Sequence, residues 1–407
     1  MRTVPLRRLA HIVNGGTPKG DASNWDGDVP WATPVDLGTA HGGELSDTLR
    51  TLTDEGLETG SSAVPAGSVL LSTRAPVGYV AIATQRMAFN QGCKALVPDK
   101  RLNSRYLAYA LQASTANLQV RSNGTTFLEL STEALKSTRI PYLTVPKQVQ
   151  IADFLDRETA QIDAMIEAQE RVVHLSQEHR AAVVAQTLEA LETGGAPTVP
   201  LRYCLMVQSG VTLGHKPSED DEEYPYLRVA NVQTGWLDLD VIKTVRVAPD
   251  VARRAMLRTG DVLITEGGDR TALGRGALWR GEIPGALHQN HIFALRCRDC
   301  LDPSFLVYVL DTPAARIHFE STRRQTTNLS STNTAKVKAF KTPLPPVTRQ
   351  KEVVAELDGA LESVNEVIAA AQRVTILLRE RREALITAAV SGRIDPTTGI
   401  ERIEEAS

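Results

Sequence analysis

Leu102-Asn103-Ser104-Arg105-Tyr106-Leu107 reads again as Leu301-Asp302-Pro303-Ser304-Phe305-Leu306, and that echo decides the fold. Outward from it, Val4-Pro5-Leu6-Arg7 returns as Val199-Pro200-Leu201-Arg202, and Pro30-Trp31 with Asp36 returns as Pro225-Tyr226 with Asn231. Pro65-Ala66-Gly67-Ser68-Val69-Leu70-Leu71 returns as Arg258-Thr259-Gly260-Asp261-Val262-Leu263-Ile264, and Thr125-Thr126-Phe127-Leu128 as Thr326-Thr327-Asn328-Leu329. The offset starts at 195 and drifts slightly, as loop insertions and deletions make it drift. Shared order and near-constant offset identify a duplication, which sets the architecture before any single element does.

Each copy has two zones. The first, about residues 1–143 and 194–343, is rich in Gly, Thr and Pro and carries short β-branched runs such as Ser68-Val69-Leu70-Leu71-Ser72 and Asp261-Val262-Leu263-Ile264-Thr265. Such runs between turn residues predict a mixed, mainly β domain. One helix is predicted in each, Ser104–Gln112 and Pro303–Leu310, capped by Asn103 and Asp302. The second zone, 144–193 and 344–407, predicts a long helix that opens near Pro146 or Pro346 and ends at Gly194-Gly195 or Ser391-Gly392. In the second helix Val354, Leu357, Leu361, Val364, Ile368, Ala371, Thr375, Leu378 and Leu385 step by threes and fours, a coiled-coil seam. The first has a patchier seam: Ile151, Leu155, Ile162, Met165, Val172 and Val183, interrupted by Glu158, Gln169, Ser176 and His179. The fold class is therefore α+β: two tandem mainly β domains, each followed by a long helix. A two-fold axis between duplicated halves pairs the two helices as an antiparallel coiled coil; since a seam does not name its partner, helices that merely tie the domains together or dimerise with other chains are the alternative.

The 407 residues suit two to three domains. Lysine and arginine total 45 against 48 acids, a net charge of −3, which excludes a uniformly basic nucleic-acid binder and leaves room for local patches. Four cysteines exclude a disulfide scaffold and suit a reducing compartment. No apolar run approaches the ~20 residues of a membrane span. The opening MRTVPLRRLAHIV lacks the apolar core and cleavage site of a secretory signal, so a cytoplasmic location is expected.

Catalytic signatures are missing. There is no Gly-x-x-x-x-Gly-Lys-Ser/Thr loop for ATP, no glycine loop in a βαβ setting and no Asn-Pro-Pro-Tyr-type methylation motif. Pro98-Asp99 and Pro249-Asp250 are turn signals rather than nuclease sites. His288-x-x-His291 and Cys297-x-x-Cys300 have the residue types of a zinc site. A strand over Ile292–Arg296 would hold the pairs about 20 Å apart, so buried thiols and surface histidines are expected instead. The acidic run Glu219–Glu223 reads as a solvated loop.

The basic residues are segregated. Arg74, Arg86, Lys94, Lys100, Arg101 and Arg105 fall together against Asp99 alone, and Arg316, Arg323, Arg324, Lys336, Lys338 and Lys341 against Glu320 alone. Such clusters are the footprint of phosphate binding. Residues of base-reading type accompany them at matching places: Arg121-Ser122-Asn123-Gly124-Thr125-Thr126 and Arg323-Arg324-Gln325-Thr326-Thr327-Asn328. The expected DNA contacts are Lys19, Arg74, Arg86, Lys94, Arg121, Asn123 and Thr125 in the first copy. In the second they are Arg270, Arg275, Arg323, Arg324, Gln325 and Asn328.

Nearly the whole chain resembles the specificity subunits of type I restriction–modification enzymes. Gly15-Gly16-Thr17-Pro18, Trp25 and Val29-Pro30-Trp31-Ala32-Thr33-Pro34-Val35-Asp36-Leu37 look like that family's target-recognition domain. Ile140-Pro141-Tyr142-Leu143 through Gln148, Ile151-Ala152-Asp153-Phe154-Leu155-Asp156 is similar to its boundary into a conserved helix, as are Pro343-Leu344-Pro345-Pro346, Gln350 and Leu357-Asp358. Arg382-Glu383-Ala384-Leu385-Ile386 with Ala389-Val390-Ser391-Gly392-Arg393-Ile394-Asp395 is similar to its C-terminal signature. The second domain departs with Gly210-Val211-Thr212-Leu213 in place of Gly-Gly-Thr-Pro, which makes Lys216 a weaker candidate than Lys19.

The resemblance implies a non-catalytic subunit. Two target-recognition domains each read half of a bipartite double-stranded DNA site. The helices set the spacing and dock two methyltransferase subunits, with Ile151, Leu155, Ile162, Leu357, Leu361, Val364 and Ile368 as spacer and partner residues. This chain would hold no cofactor or metal; S-adenosylmethionine sits on the partners, and a motor–nuclease subunit brings ATP and Mg²⁺. Two other classes remain open on the residues alone. One is a coiled-coil adaptor without DNA contact. The other is an enzyme with an unrecognised methyltransferase or nuclease site.

Overall fold

The computed structural model describes residues 2–74, 76–122, 129–212, 214, 218–268, 276–321, 330–331 and 333–400. The chain divides into two compact units, residues 1–170 with 373–407, and residues 171–372. No helix among the described residues is long and apolar enough to cross a membrane.

In the first unit a five-stranded sheet runs in the order Ala10–Asn14, Cys93–Pro98, Val69–Ser72, Val80–Ala83, Glu44–Leu45. Beside it lies a four-stranded sheet of Thr51–Leu52, Trp25–Ala32, Met87–Phe89 and Ser62–Val64. Strand Val69–Ser72 is buried on both faces, so it reads as an unbroken apolar run rather than an alternation. Val69 and Leu71 face the helix Ser104–Ala113, while Leu70 packs with Ala81, Phe89 and Ala95. The second unit repeats this with Leu205–Ser209, Ile292–Cys297, Asp261–Thr265 and Gly276–Leu278. Its helix is Pro303–Leu310. Both predicted N-caps hold: the Asn103 side chain accepts from the Tyr106 N–H, and Asp302 from those of Ser304 and Phe305.

The long helices are Val145–Thr193 and Val347–Val390. Each ends on a left-handed glycine, Gly195 with φ +90° and Gly392 with φ +78°, where a side chain would be strained. Each gives one end to each unit. In the first unit Ile151, Phe154 and Leu155 share a core with Ile386, Ala389 and Val390. There Arg382 Nε meets Asp163 at 2.9 Å and Arg379 Nη2 meets Glu170 at 2.8 Å, so one number falls as the other rises and the helices run antiparallel. In the second unit Val184, Leu188 and Leu191 share a core with Val353, Leu357 and Leu361.

The expected seam of the second helix is buried or half-buried throughout. In the first, Gln169 and Ser176 lie inward as expected, whereas Met165, Val172 and His179 are exposed; Ile166, Val173, Arg180 and Val184 complete the inner stripe. Ile166, Val173 and Arg180 take the inner places expected for Met165, Val172 and His179, so apolar content alone misplaces part of the stripe. Ile151, Leu155, Ile162, Leu357 and Leu361 are buried in the chain's own units, so they hold the helices in place and are not open to a partner subunit. Val364 and Ile368 are half-buried.

One buried glutamine fixes the head of each helix. Gln148, 0% exposed, donates through Nε2 to the carbonyls of Leu143 (2.8 Å) and Arg101 (2.9 Å), and Oε1 accepts from the Asn103 N–H (2.8 Å). Gln350 does the same with the carbonyls of Pro345 (2.8 Å) and Cys300 (2.9 Å) and the Asp302 N–H (2.7 Å). Replacing either glutamine by alanine removes the partner of three backbone groups, at about 1–3 kcal/mol for each group that water fails to reach. Gln148→Ala and Gln350→Ala are each expected to lower the chemical-denaturation midpoint clearly, whereas an unchanged midpoint would show the joint to be dispensable.

Candidate nucleic-acid interface

The opening Gly15-Gly16-Thr17-Pro18 is a strap across the sheet edges. Gly15 N–H donates to the Cys93 carbonyl and Gly16 N–H to that of Phe89 at 3.0 Å, and Trp31 Nε1 donates to the Gly16 carbonyl at 3.1 Å. A Cβ on Gly15 would run into the Asn90 carbonyl, which is why glycine stands there. In the second copy a Cβ on Gly210 would strike the His288 carbonyl, and Val211 N–H donates to that carbonyl at 2.8 Å. The first glycine is thus kept in both copies while Gly16 gives way to Val211. Lys19 lies exposed on the first strap.

The first basic cluster is mostly paired, and its partners come from distant sequence. Arg74 meets Glu129 at 3.1 Å, Arg86 meets Asp54 at 3.3 Å, and Arg105 meets Asp153 at 2.7 Å as well as Asp156. Lys94 is corrected as a DNA contact: it is 6% exposed, its Nζ donates to Asn14 Oδ1 at 3.0 Å, and burial lowers its pKa. Arg121 is exposed and donates to Ser137 Oγ at 3.2 Å. In the second cluster Arg316 lies 3.9 Å from the buried Asp311, and Lys341 is exposed. Asn123, Thr125, Arg270, Arg275, Arg323, Arg324, Gln325 and Asn328 lie outside the described residues, as does Lys216.

What the described backbone does show is where those segments are anchored. In the first copy Arg74 bridges Glu129, and Leu130 N–H donates to the Thr73 carbonyl at 2.9 Å. In the second, Gly267–Gly268 pairs antiparallel with Ser330–Ser331. In both copies, therefore, the chain just past the central strand is pinned to the chain just past the 121–128 or 322–329 segment. The described residues that follow these two stretches in sequence are thus held at equivalent points of the two copies.

The sequence reading missed Arg50. Its guanidinium carbon lies 3.4 Å above the centre of the Trp25 ring, and Trp25 meets Trp31 edge-on, 5.0 Å between centroids. The aromatic signal was present in Trp25 and Trp31, but the arginine arrives from a different strand.

The zinc-like residues do not converge: among the described residues no group of three or more His, Cys, Asp or Glu is placed to hold a metal ion. His288 is fully buried rather than on the surface, and its Nδ1 pairs with the Ile292 carbonyl at 2.9 Å, whereas His291 is exposed beside Glu266. Of the thiols, Cys204 is buried, Cys297 half-buried and Cys300 exposed. Burial pushes Cys297 up to about 12 and Cys204 to about 11, which leaves them protonated at neutral pH. In the acidic run, Asp221 is buried rather than solvated; its carboxylate accepts from the Ser218 N–H at 3.0 Å, because the loop folds back on itself.

Residues 1–172 match the family described as the type I restriction modification DNA specificity domain. The specificity subunit of the type I restriction enzyme MjaIX of Methanocaldococcus jannaschii is 34% identical over 37% of this chain and 36% of its own length. The EcoKI specificity subunit of Escherichia coli is 23% identical over 67% of this chain and 61% of its own. The chain thus spans between about a third and three-fifths of these relatives. In fold it is similar to a chain solved in work on complex assembly and conformational transition of the type I R-M system, with TM-score 0.51, 18% identity, and coverage of 96% of this chain and 97% of that one.

His288 stands where the first copy has Phe89, on the evidence of the matched glycine contacts. Burial, with Arg296 adding to it and the Ile292 carbonyl and Asp261 opposing, lowers its pKa from 6.5 to about 4. The unfolded chain therefore takes up a proton first as pH falls. The stability tied to neutral His288 is fully present above about 6.5 and is lost as pH falls towards about 4. His288→Phe is expected to flatten the pH dependence of unfolding in that window, and an unchanged slope would show that His288 does not carry it.

Proposed function

From this resemblance to type I restriction–modification specificity subunits, we propose that the chain is the non-catalytic DNA-specificity subunit of such an enzyme. Each mainly β domain reads one half of a bipartite duplex target. The observation that carries this reading is the duplicated anchor: Arg74 with Glu129 in one copy, Gly267–Gly268 with Ser330–Ser331 in the other, each beside a segment rich in base-reading residues. A single scaffold that presents different polar tips in its two copies suits a target with two different halves.

Phosphate contacts fall to Lys19, Arg74, Arg86 and Arg121, all exposed. The Arg74–Glu129 and Arg86–Asp54 pairs are of the exposed kind that contributes about 0–1 kcal/mol, so a phosphate can displace either carboxylate at little cost. Asn123, Thr125, Arg270, Arg275, Arg323, Arg324, Gln325 and Asn328 are the base-reading candidates. The long helices set the half-site spacing and dock two methyltransferase subunits, which carry S-adenosylmethionine. A motor–nuclease subunit that uses ATP and Mg²⁺ is the further partner. With the net charge at −3, the chain alone should bind DNA weakly, and specificity should require the methyltransferase partners.

Comparing the methylomes of a host with and without this gene tests the reading directly: a bipartite motif should vanish with the gene. Within the complex, Arg74→Ala should weaken all duplexes alike and flatten the salt slope by about one unit. Gln325→Ala should instead cost about 1–3 kcal/mol at one base pair of one half-site. A uniform loss from Gln325→Ala would demote that segment to backbone contact.

Spacing gives a separate prediction. Seven helical residues make about two turns and add about 10 Å, or roughly three base pairs of DNA. Paired insertions of that length, after Gln169 and near Ala371, should keep both half-sites and lengthen the spacer. A methylome with an unchanged spacer in fully active cells would end the idea that the helices set the distance.

A further inference from the structure

Building on the reading of the first domain as a DNA reader, we propose that Arg50 is a base contact of that domain, its guanidinium edge held by Trp25 for a guanine of the first half-site.

The side chain is set out in one direction. Its guanidinium lies flat enough on Trp25 for a 3.4 Å approach to the ring centre and stands 5.9 Å from the Trp31 ring. The backbone beneath is pinned as well, since the Arg50 carbonyl accepts from Trp31 N–H at 3.1 Å and from Thr48 Oγ1 at 2.7 Å. Stacking occupies the face of the guanidinium and leaves its N–H edge open. Among the described residues Arg50 is exposed, forms no ion pair and has no side-chain hydrogen bond. This distinguishes it from Arg74, Arg86, Arg101 and Arg105, which all meet carboxylates. A planar fork with a fixed plane and free donors is what bidentate recognition of guanine O6 and N7 requires.

The support under it is costly. Trp25 and Val29 both register against Leu52, so the three residues between them, Asp26 to Asp28, bulge out of the strand at this corner. Within that bulge Asp26 takes φ +62°, the left-handed conformation in a residue other than glycine. Strain of this kind persists where surrounding structure enforces it, commonly at binding sites. The bulge turns the Trp25 ring under the arginine.

The second copy points to a base rather than a phosphate. Pro30 registers with Thr51 and Pro225 with Thr244, so Lys243 stands where Arg50 does. There the strand Glu222–Leu227 pairs without a bulge, and no ring lies under the lysine among the described residues. A phosphate grip would serve both halves equally. A fork kept in one copy and replaced by a point charge in the other fits a position where the two halves read different bases.

The test uses the chain assembled with its methyltransferase partner, on duplexes carrying the target read from the methylome and each of its single-base variants. Arg50→Ala should lose about 10-fold or more in affinity for the target and stop discriminating at one guanine of one half-site, with the other half-site and the melting temperature unchanged. Arg50→Lys keeps the charge and loses the fork, so it should lose the same discrimination. Equal weakening on every duplex, unchanged binding by Arg50→Ala, or full rescue by Arg50→Lys each overturns the assignment. Should the unaltered complex fail to prefer its target over a scrambled duplex, the specificity-subunit reading itself falls; if it does prefer it, only the assignment of Arg50 is at stake.

Discussion

Everything in each copy hangs on a glutamine that water cannot reach. A β domain and the helix that leaves it share an apolar contact, which is non-directional, so the joint between them needs a directional tie as well. Gln148 and Gln350 close that joint by satisfying carbonyls on both sides of it and the N–H of the residue that caps the domain helix. Because each glutamine side chain is itself fully buried, its loss leaves these main-chain groups to whatever water reaches them, and any that stays dry is costly. Further contacts repeat about this joint. Tyr109 OH donates to Asp156 at 2.8 Å, and Tyr308 OH to Asp358 at 2.5 Å. Burial raises both phenols above their usual range, so they remain donors. From the other long helix, Arg382 reaches Gln112 in the first unit and Arg180 pairs with Asp311 in the second. Each β domain is therefore gripped by its own helix and by the far end of the other copy's.

These particulars explain what could be read in advance. Helix limits were legible because caps are local: Asn103, Asp302, Gly195 and Gly392 act within a turn of where they stand. The duplication was legible because order survives insertion. The phase of the first helix was legible only in part: Gln169 and Ser176 were expected on the inner stripe and lie there, but Arg180 stands inward in place of His179, and Met165 and Val172 are exposed. Apolar periodicity assumes that the inside is apolar, and a helix that accepts an arginine for an ion pair breaks that assumption.

The basic cluster failed for a related reason. Counting charge along a segment treats neighbours in sequence as neighbours in space. Asp54, Glu129, Asp153 and Asp156 all lie outside the segment from Arg74 to Arg105, yet each meets one of its cations. Arg105 in particular serves the joint between domain and helix. Lys94 serves the interior, held by Asn14, whose Oδ1 also accepts from Thr132. What looked like one electrostatic patch separates into scaffold cations and a few exposed ones.

That division bears on how a duplicated domain could acquire the two specificities proposed for it. Positions that hold the scaffold are constrained in both copies alike, as Gly15 and Gly210 are by a carbonyl that leaves no room for a Cβ. Positions that project beyond it can diverge without cost to the fold. Phe89 against His288 shows a core exchange tolerated because the imidazole stays neutral and finds a backbone carbonyl. Arg50 against Lys243 shows a surface exchange that changes the chemistry offered to a ligand while the strand pairing beneath keeps its register at Pro30 and Pro225. With the whole chain slightly acidic, long-range attraction to DNA is small. On the proposed reading, discrimination would come from such short-range, direction-dependent contacts, and Arg50 against Lys243 is a place where the two copies differ in that way.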